Sequence, residues 1–212
     1  DQPSTIRLQN LVVENNNAMY GGGVFVRRAN LEMNNCIIRD NFTYTQENYG
    51  RDGKGGALFM MHAQSNLPSK VKNTLIETNS AHQGGAIVLW QNSWGGHKIE
   101  FENVLINGNT AAHYAGVRAM DAKFSLLNST IVDNHTTQGL NDGAGIHVVN
   151  WSTARIVNSI IHNNYPYNLA VGGGDGNGVY DSLLVSNSIV EYGADSIQVI
   201  QNSFLDWQNS NL

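Results

Sequence analysis

An arginine beside a histidine is equipped for chemistry on acidic sugars: the guanidinium neutralises a uronate and the imidazole takes a proton. Arg118 and His147 each follow the aliphatic residue of a glycine-rich corner, Val117 and Ile146. On the same offset lie Phe25, Phe59, Val88 and Tyr180. Two residues further on lie Arg27, Met61, Trp90, Met120 and Val149, with Trp94 and Trp151 in adjoining segments. Aromatic rings offer flat amphipathic faces. Phe59, Trp90, Trp94, Arg118, His147, Trp151 and Tyr180 therefore define a candidate glycan-binding face. The competing reading is that the segments 42–54 and 62–70 fold over this stripe, since large exposed apolar patches are uncommon without a partner. Arg118 and His147 likewise read either as neutraliser and base or as hydrogen-bonded surface residues.

A second column lies four residues before each corner aliphatic: Tyr20, Lys54, Gln83, His113, Asp142 and Asp175. Imidazole and carboxylate together suit zinc or calcium, so His113, Asp142 and Asp175 are the candidate metal ligands. Asp before Gly also serves turns for conformational reasons alone. No cofactor is assigned; calcium is the candidate if there is one.

Both columns exist only if the chain stacks on itself, and the repeats say that it does. The pattern Asn-x-x-[Ile/Val]-x-x-Asn runs from Asn10 to Asn16 and returns at Asn35, Asn73, Asn103, Asn128 and Asn158. A seventh copy starts at Asn187, with Gly193 in place of the closing Asn. From the second copy on, a Gly-Gly-[Gly/Ala]-aliphatic segment precedes each: Gly21 to Val24, Gly55 to Leu58 and Gly84 to Ile87. Looser versions are Tyr114 to Val117, Gly143 to Ile146 and Gly176 to Val179. Two residues before each Asn is an apolar residue, from Leu8 to Val185, and three after it is always Val or Ile. Such period-two alternation marks short strands with one buried face. The fold expected is all-β: a right-handed, single-stranded parallel β-helix of about seven coils, residues 1–212 forming one domain. Asn tolerates the left-handed conformation of a sharp bend, and Asn residues stacked ~4.8 Å apart can form an amide ladder. The double Gly admits a tight corner. Cys36 falls in the small column one residue after the Asn, with Thr74, Ser129, Ser159 and Ser188, and reads as a buried, inert thiol.

Composition narrows the partners. Asn supplies 29 of 212 residues, while charged residues make up 14% and the net charge is −5. With no basic stripe, nucleic acid is excluded as a partner. One cysteine forbids an internal disulfide, and no apolar run approaches the ~18 residues of a membrane span. A neutral polar surface suits an extracellular or cell-surface setting. Unpaired edges at the two ends of such a rod would favour end-to-end self-association, as in a filament subunit.

The Gly-Gly-Ala-Ile corners followed by Asn-Ser-x-Ile-x-x-Asn strands resemble the β-helix repeats of bacterial surface proteins. Two groups are similar: the polymorphic outer-membrane proteins of chlamydiae and, more closely, the choice-of-anchor β-helix proteins. The segments Asn158 to Asn164, Tyr180 to Leu184 and Gln208 to Leu212 carry the second likeness. It covers nearly the whole chain from Thr5 and implies a fold but no catalytic residue. It further implies that the chain is a fragment or mature part of a longer surface protein. The function expected is a non-enzymatic rigid stalk or adhesin-like segment contacting polysaccharide or a surface protein. The alternative is a polysaccharide lyase or glycoside hydrolase acting on uronate-rich polymers through Arg118 and His147.

Overall fold

The computed structural model describes residues 4–45, 52–61, 67–90, 98–139, 142–173, 181–200 and 203–212. It is a parallel β-helix. Every paired strand runs parallel to its neighbour in the stack, as the Thr5–Gln9 and Asn30–Asn34 pair illustrates. Each coil carries up to four faces. The first face stacks eight strands, beginning with Thr5–Gln9, Asn30–Asn34 and Ser69–Glu77 and ending with Ser203–Trp207. The fourth face stacks seven, from Val24–Arg27 to Ile197–Val199. These stacks agree with the coil count read from the repeats. Among the described residues the helical content is one 3-10 turn, Gly193–Ser196, and no helix is long and apolar enough to cross a membrane.

The apolar columns fill the bore. Leu8, Met33, Val71, Phe101, Leu126, Ile156 and Val185 stand in register on the first face. Val13, Ile38, Ile76, Ile106, Ile131, Ile161 and Val190 do so on the second. Apart from Leu8 and Val13 in the first coil, these side chains are buried in one continuous core.

Two different asparagine columns turn the chain. The Asn that opens each motif bends the first face into the second in the left-handed conformation: φ is 56° at Asn10, 48° at Asn73 and 49° at Asn187. Its side chain lies on the outside, where Asn103 donates to Asn73 across 2.7 Å. The Asn that closes the motif is buried in every coil after the first, where Asn16 is exposed. In each case the preceding residue takes the left-handed turn (Asn15, Asp40, Thr78, Gly108, Asp133 and Asn163), leaving the Asn side chain free to point inward. Asn16, Asn41, Asn79, Asn109, Asn134 and Asn164 form an unbroken amide ladder with Nδ2–Oδ1 distances of 3.0, 3.0, 3.0, 2.9 and 2.8 Å. The small column is polar for a related reason. Ser129, Ser159 and Ser188 each accept the backbone N–H of the preceding coil at 3.0–3.2 Å. Cys36 lies in that column, buried, with Sγ 3.4 Å from the Asn34 carbonyl.

One part of the register differs from the sequence expectation. The strand stacked on Ile146 is Tyr167–Val171, with Leu169 as the partner of Ile146. The repeats had placed Val179 there; Gly176 to Tyr180 lie outside the described residues. After Asn164 the chain turns at Tyr165 and Pro166 straight into the fourth face, without a third-face strand or a glycine corner. Asn168, four residues on, then supplies the amide oxygen that Asn164 would have taken from the next coil, at 2.9 Å.

Candidate functional site

The outward stripe of the fourth face lies in the expected register through five coils: Phe25, Phe59, Val88, Arg118 and His147. The sixth place, for which the repeats offer Tyr180, is held by Ala170. Outward does not mean open. Phe25 is 43% exposed, but Phe59 is 1%, Val88 0% and His147 4%. Phe59 stacks on Phe25 at 5.3 Å and on Trp90 at 6.1 Å, with Tyr20 at 5.5 Å. The stripe is thus buried at Phe59, Val88 and His147. Trp90 and Arg118 remain half-buried. Trp151 is exposed, but it sits on the turn beyond the fourth face with φ 65°, away from the stripe. Trp94 and Tyr180 lie outside the described residues.

Arg118 and His147 are register partners, as expected, and the His147 ring is buried rather than open. The His147 Nε2–H donates to the Gly172 carbonyl at 3.1 Å, and Nδ1 faces the Gly143 N–H at 3.4 Å. Both ring nitrogens are engaged with backbone, and the ring packs edge-on to Tyr114 at 4.7 Å. Burial pushes its pKa down to about 4, and the Arg118 charge adds to the shift; the Gly172 carbonyl and Asp142 pull the other way. The folded state thus holds His147 neutral while the unfolded chain protonates it near its ordinary value. Stability from this residue is complete above that value and is lost as pH falls toward 4. The loss between pH 7 and pH 5 is expected to be about 2 kcal/mol. Urea unfolding at both pH values, compared with non-titrating His147→Gln, measures it; equal slopes for the two proteins would refute the assignment.

The second column is also in register: Tyr20, Lys54, Gln83 and His113 are successive backbone partners. His113 Nδ1 lies 2.9 Å from Asp142 Oδ2, so two of the three candidate metal ligands meet each other. Asp175 lies outside the described residues. Among the described residues no group of three His, Cys, Asp or Glu side chains is placed to hold a metal ion.

What the two columns build together is a half-buried polar cluster across the glycine corner. Arg118 reaches back one coil, where Nη1 donates to Gln83 Oε1 and the guanidinium lies 4.2 Å from the Tyr114 ring. The Lys54 ammonium stands 5.8 Å from the Trp90 ring. Burial lowers the Lys54 pKa and the Arg118 charge lowers it further, against the pull of Asp52. Asp52 accepts the Gln83 amide at 3.2 Å and lies 3.7 Å from His82 Nδ1. Tyr114 occupies the corner position held by Gly21, Gly55 and Gly84 in the earlier coils and keeps their left-handed backbone, at φ 62°. A bulky residue in that region is a strained exception, of the kind that gathers at functional sites.

Two further features escape the sequence reading. On the second face the outward column is also aliphatic: Val12, Leu105, Ile160 and Ile189 are exposed, with Ile37 and Leu75 half-exposed between them. The signal was present, since the residue two after the opening Asn is aliphatic in six of seven copies. A cavity of about 460 Å³ on the first face is lined in part by Arg7, Glu32, Lys70 and Lys72. Arg7 pairs with Glu32 at 2.7 Å and Lys72 with Glu102, with all four side chains substantially open to solvent. Exposed pairs of this kind do not by themselves define a site.

The stacked parallel strands and internal ladders define the class, a β-solenoid repeat protein. No protein-family model, curated protein or solved structure matches the chain.

Proposed function

We propose that the chain is a non-catalytic β-helical module of a bacterial surface or secreted protein, a rigid segment that contacts a glycan or a protein partner. The observation that carries this reading is the fate of His147. The residue best placed to act as a base beside Arg118 has both ring nitrogens turned to backbone, while structural ladders run from coil to coil. The resemblance to bacterial surface repeats supports the location, and the glycine-corner cluster with Trp90 supports the glycan. The exposed aliphatic column of the second face is a surface that a protein partner could cover.

One observation favours a second reading, an enzyme acting on uronate polymers: the His113–Asp142 pair lies beside Tyr114 and Arg118. Incubation with uronic-acid and neutral polysaccharides separates the two. The expected result is co-sedimentation with polymer and no new products, by ultraviolet absorbance of unsaturated ends or by reducing-end assay. Products that vanish in His113→Ala would establish the enzyme instead.

A further inference from the structure

We infer that the exposed aliphatic column of the second face is the contact surface for a second copy of this chain, packed face to face in a parallel two-fold dimer. This rests on the proposal that a protein partner covers the column, and it names the partner.

The first argument is composition. Six successive register pairings carry the column from Val12 through Leu105 to Ile189, with Thr130 as its one polar member. The outward column of the first face shows what an open face of the same rod carries: Arg7, Glu32, Lys70 and Glu100, also in register. A continuous aliphatic stripe along one face, beside a charged one, marks a surface that is covered in use.

The second argument is fit. The column repeats once per coil, every ~4.8 Å, and a surface with the same step matches it along its whole length. A second copy supplies that step, and two such sheets pack about 10 Å apart with their strands aligned. The length of the column and the width of its short strands give about 500 Å² per copy, or about 1,000 Å² in all, the lower limit for a specific interface. The dimer is therefore a weak one, with a Kd on the order of 10 μM.

The third argument is charge, which sets the direction. One edge of the face bears the exposed outer Asn column. The other bears Glu14 with Arg39 at one end and His162 with Glu191 at the opposite end. Turned end for end, the two copies would set Glu14 against Glu191 and Arg39 against His162, so that no opposite charges meet. With the two-fold axis along the rod, Glu14 instead faces Asn10 of the other copy and Glu191 faces Asn187. An amide can donate to or accept from either sign of charge.

The test is sedimentation velocity of the full chain from about 1 to 300 μM, which should pass from monomer to mostly dimer. Leu105→Lys and Ile160→Lys should each weaken the dimer at least about tenfold at an unchanged melting temperature, because both side chains point outward. Val12→Cys should be joined to its own copy by a short bismaleimide, while the wild-type chain, whose Cys36 is buried, is not. Cross-linking only between Val12→Cys and Ile189→Cys chains overturns the parallel arrangement. A dimer undiminished in the folded Lys variants overturns the assignment to this face. A monomer at every concentration overturns the second copy. The apolar dye anilinonaphthalene sulfonate then decides the reading beneath it: binding that Leu105→Lys abolishes leaves a protein-contact face standing, and no binding overturns both.

Discussion

Asn109→Ala should lower the free energy of unfolding by about 3–5 kcal/mol, read as a shift of the urea midpoint at unchanged slope. The Asn109 Nδ2 group donates to the Ile76 carbonyl at 3.1 Å, the Asn107 carbonyl at 3.1 Å and Asn134 Oδ1 at 2.9 Å. Its Oδ1 accepts both the backbone N–H and the side-chain amide of Asn79, at 2.9 and 3.0 Å. The residue is fully buried, so water cannot replace these partners. Truncation strands several groups at roughly 1–3 kcal/mol each, partly relieved by local adjustment. Asn109→Asp tests the cause more sharply. It keeps the shape but aims an oxygen at three other oxygens in a buried place, so it should cost more than Ala at neutral pH. The control is Asn103→Gly in the outer column. Asn103 is exposed, and Gly keeps the left-handed turn at φ 54°, so the loss should stay under about 1 kcal/mol. Similar losses for Asn109→Ala and Asn103→Gly would mean that the inner ladder contributes nothing beyond the turn.

That contrast also marks where the sequence is readable. The opening and closing Asn look alike in the motif, and the sequence reading gives both the turn and the amide ladder to the opening one, whereas the buried ladder runs through the closing one. Only geometry separates a residue that bends from one that is bonded inside the bend: the left-handed strain falls on Asp40 or Gly108, one residue earlier. The inward columns were legible because a strand with one buried face repeats its apolar residues at fixed distance from the Asn. The outward aliphatic column from Val12 to Ile189 is as regular in the sequence, two residues after the opening Asn, but alternation alone predicts polar residues there. The misplaced coil is a short one, in which Asn168, only four residues after Asn164, supplies the next amide oxygen of the ladder. For the candidate site, the sequence placed Arg118 next to His147 and put Lys54, Gln83 and His113 in one column. It did not show that the long Arg118 side chain leans back across the corner to join those columns. Nor did it show that an outward strand position such as that of His147 is buried.

Gly56→Ala should be severely destabilising for the addition of a single carbon, because the obstacle is backbone. A Cβ at Gly56 would lie 2.2 Å from the Gly85 carbonyl oxygen and 2.6 Å from that of Ser80. Neither atom can rotate away. Gly85 sits at the same corner of the next coil, and the Gly56 N–H is itself bonded to the Gly84 carbonyl at 3.0 Å. Relief requires the coils to part, which breaks the ladder hydrogen bonds on both sides. The cost should therefore reach or exceed the upper end of the usual overpacking range, about 3 kcal/mol. Gly108 provides the opposite case. Its φ is +61°, yet a Cβ there would have no atom within 4 Å. Gly108→Ala should cost only the left-handed strain, about 1–2 kcal/mol. Gly108→Asn should cost less still, since Asn15 and Asn163 hold that position in other coils. Urea unfolding of the three variants ranks them directly. If Gly108→Ala proved as costly as Gly56→Ala, backbone conformation rather than coil-to-coil approach would be what the glycine corner requires. If Gly56→Ala is far worse, the double glycine sets how closely neighbouring coils stack.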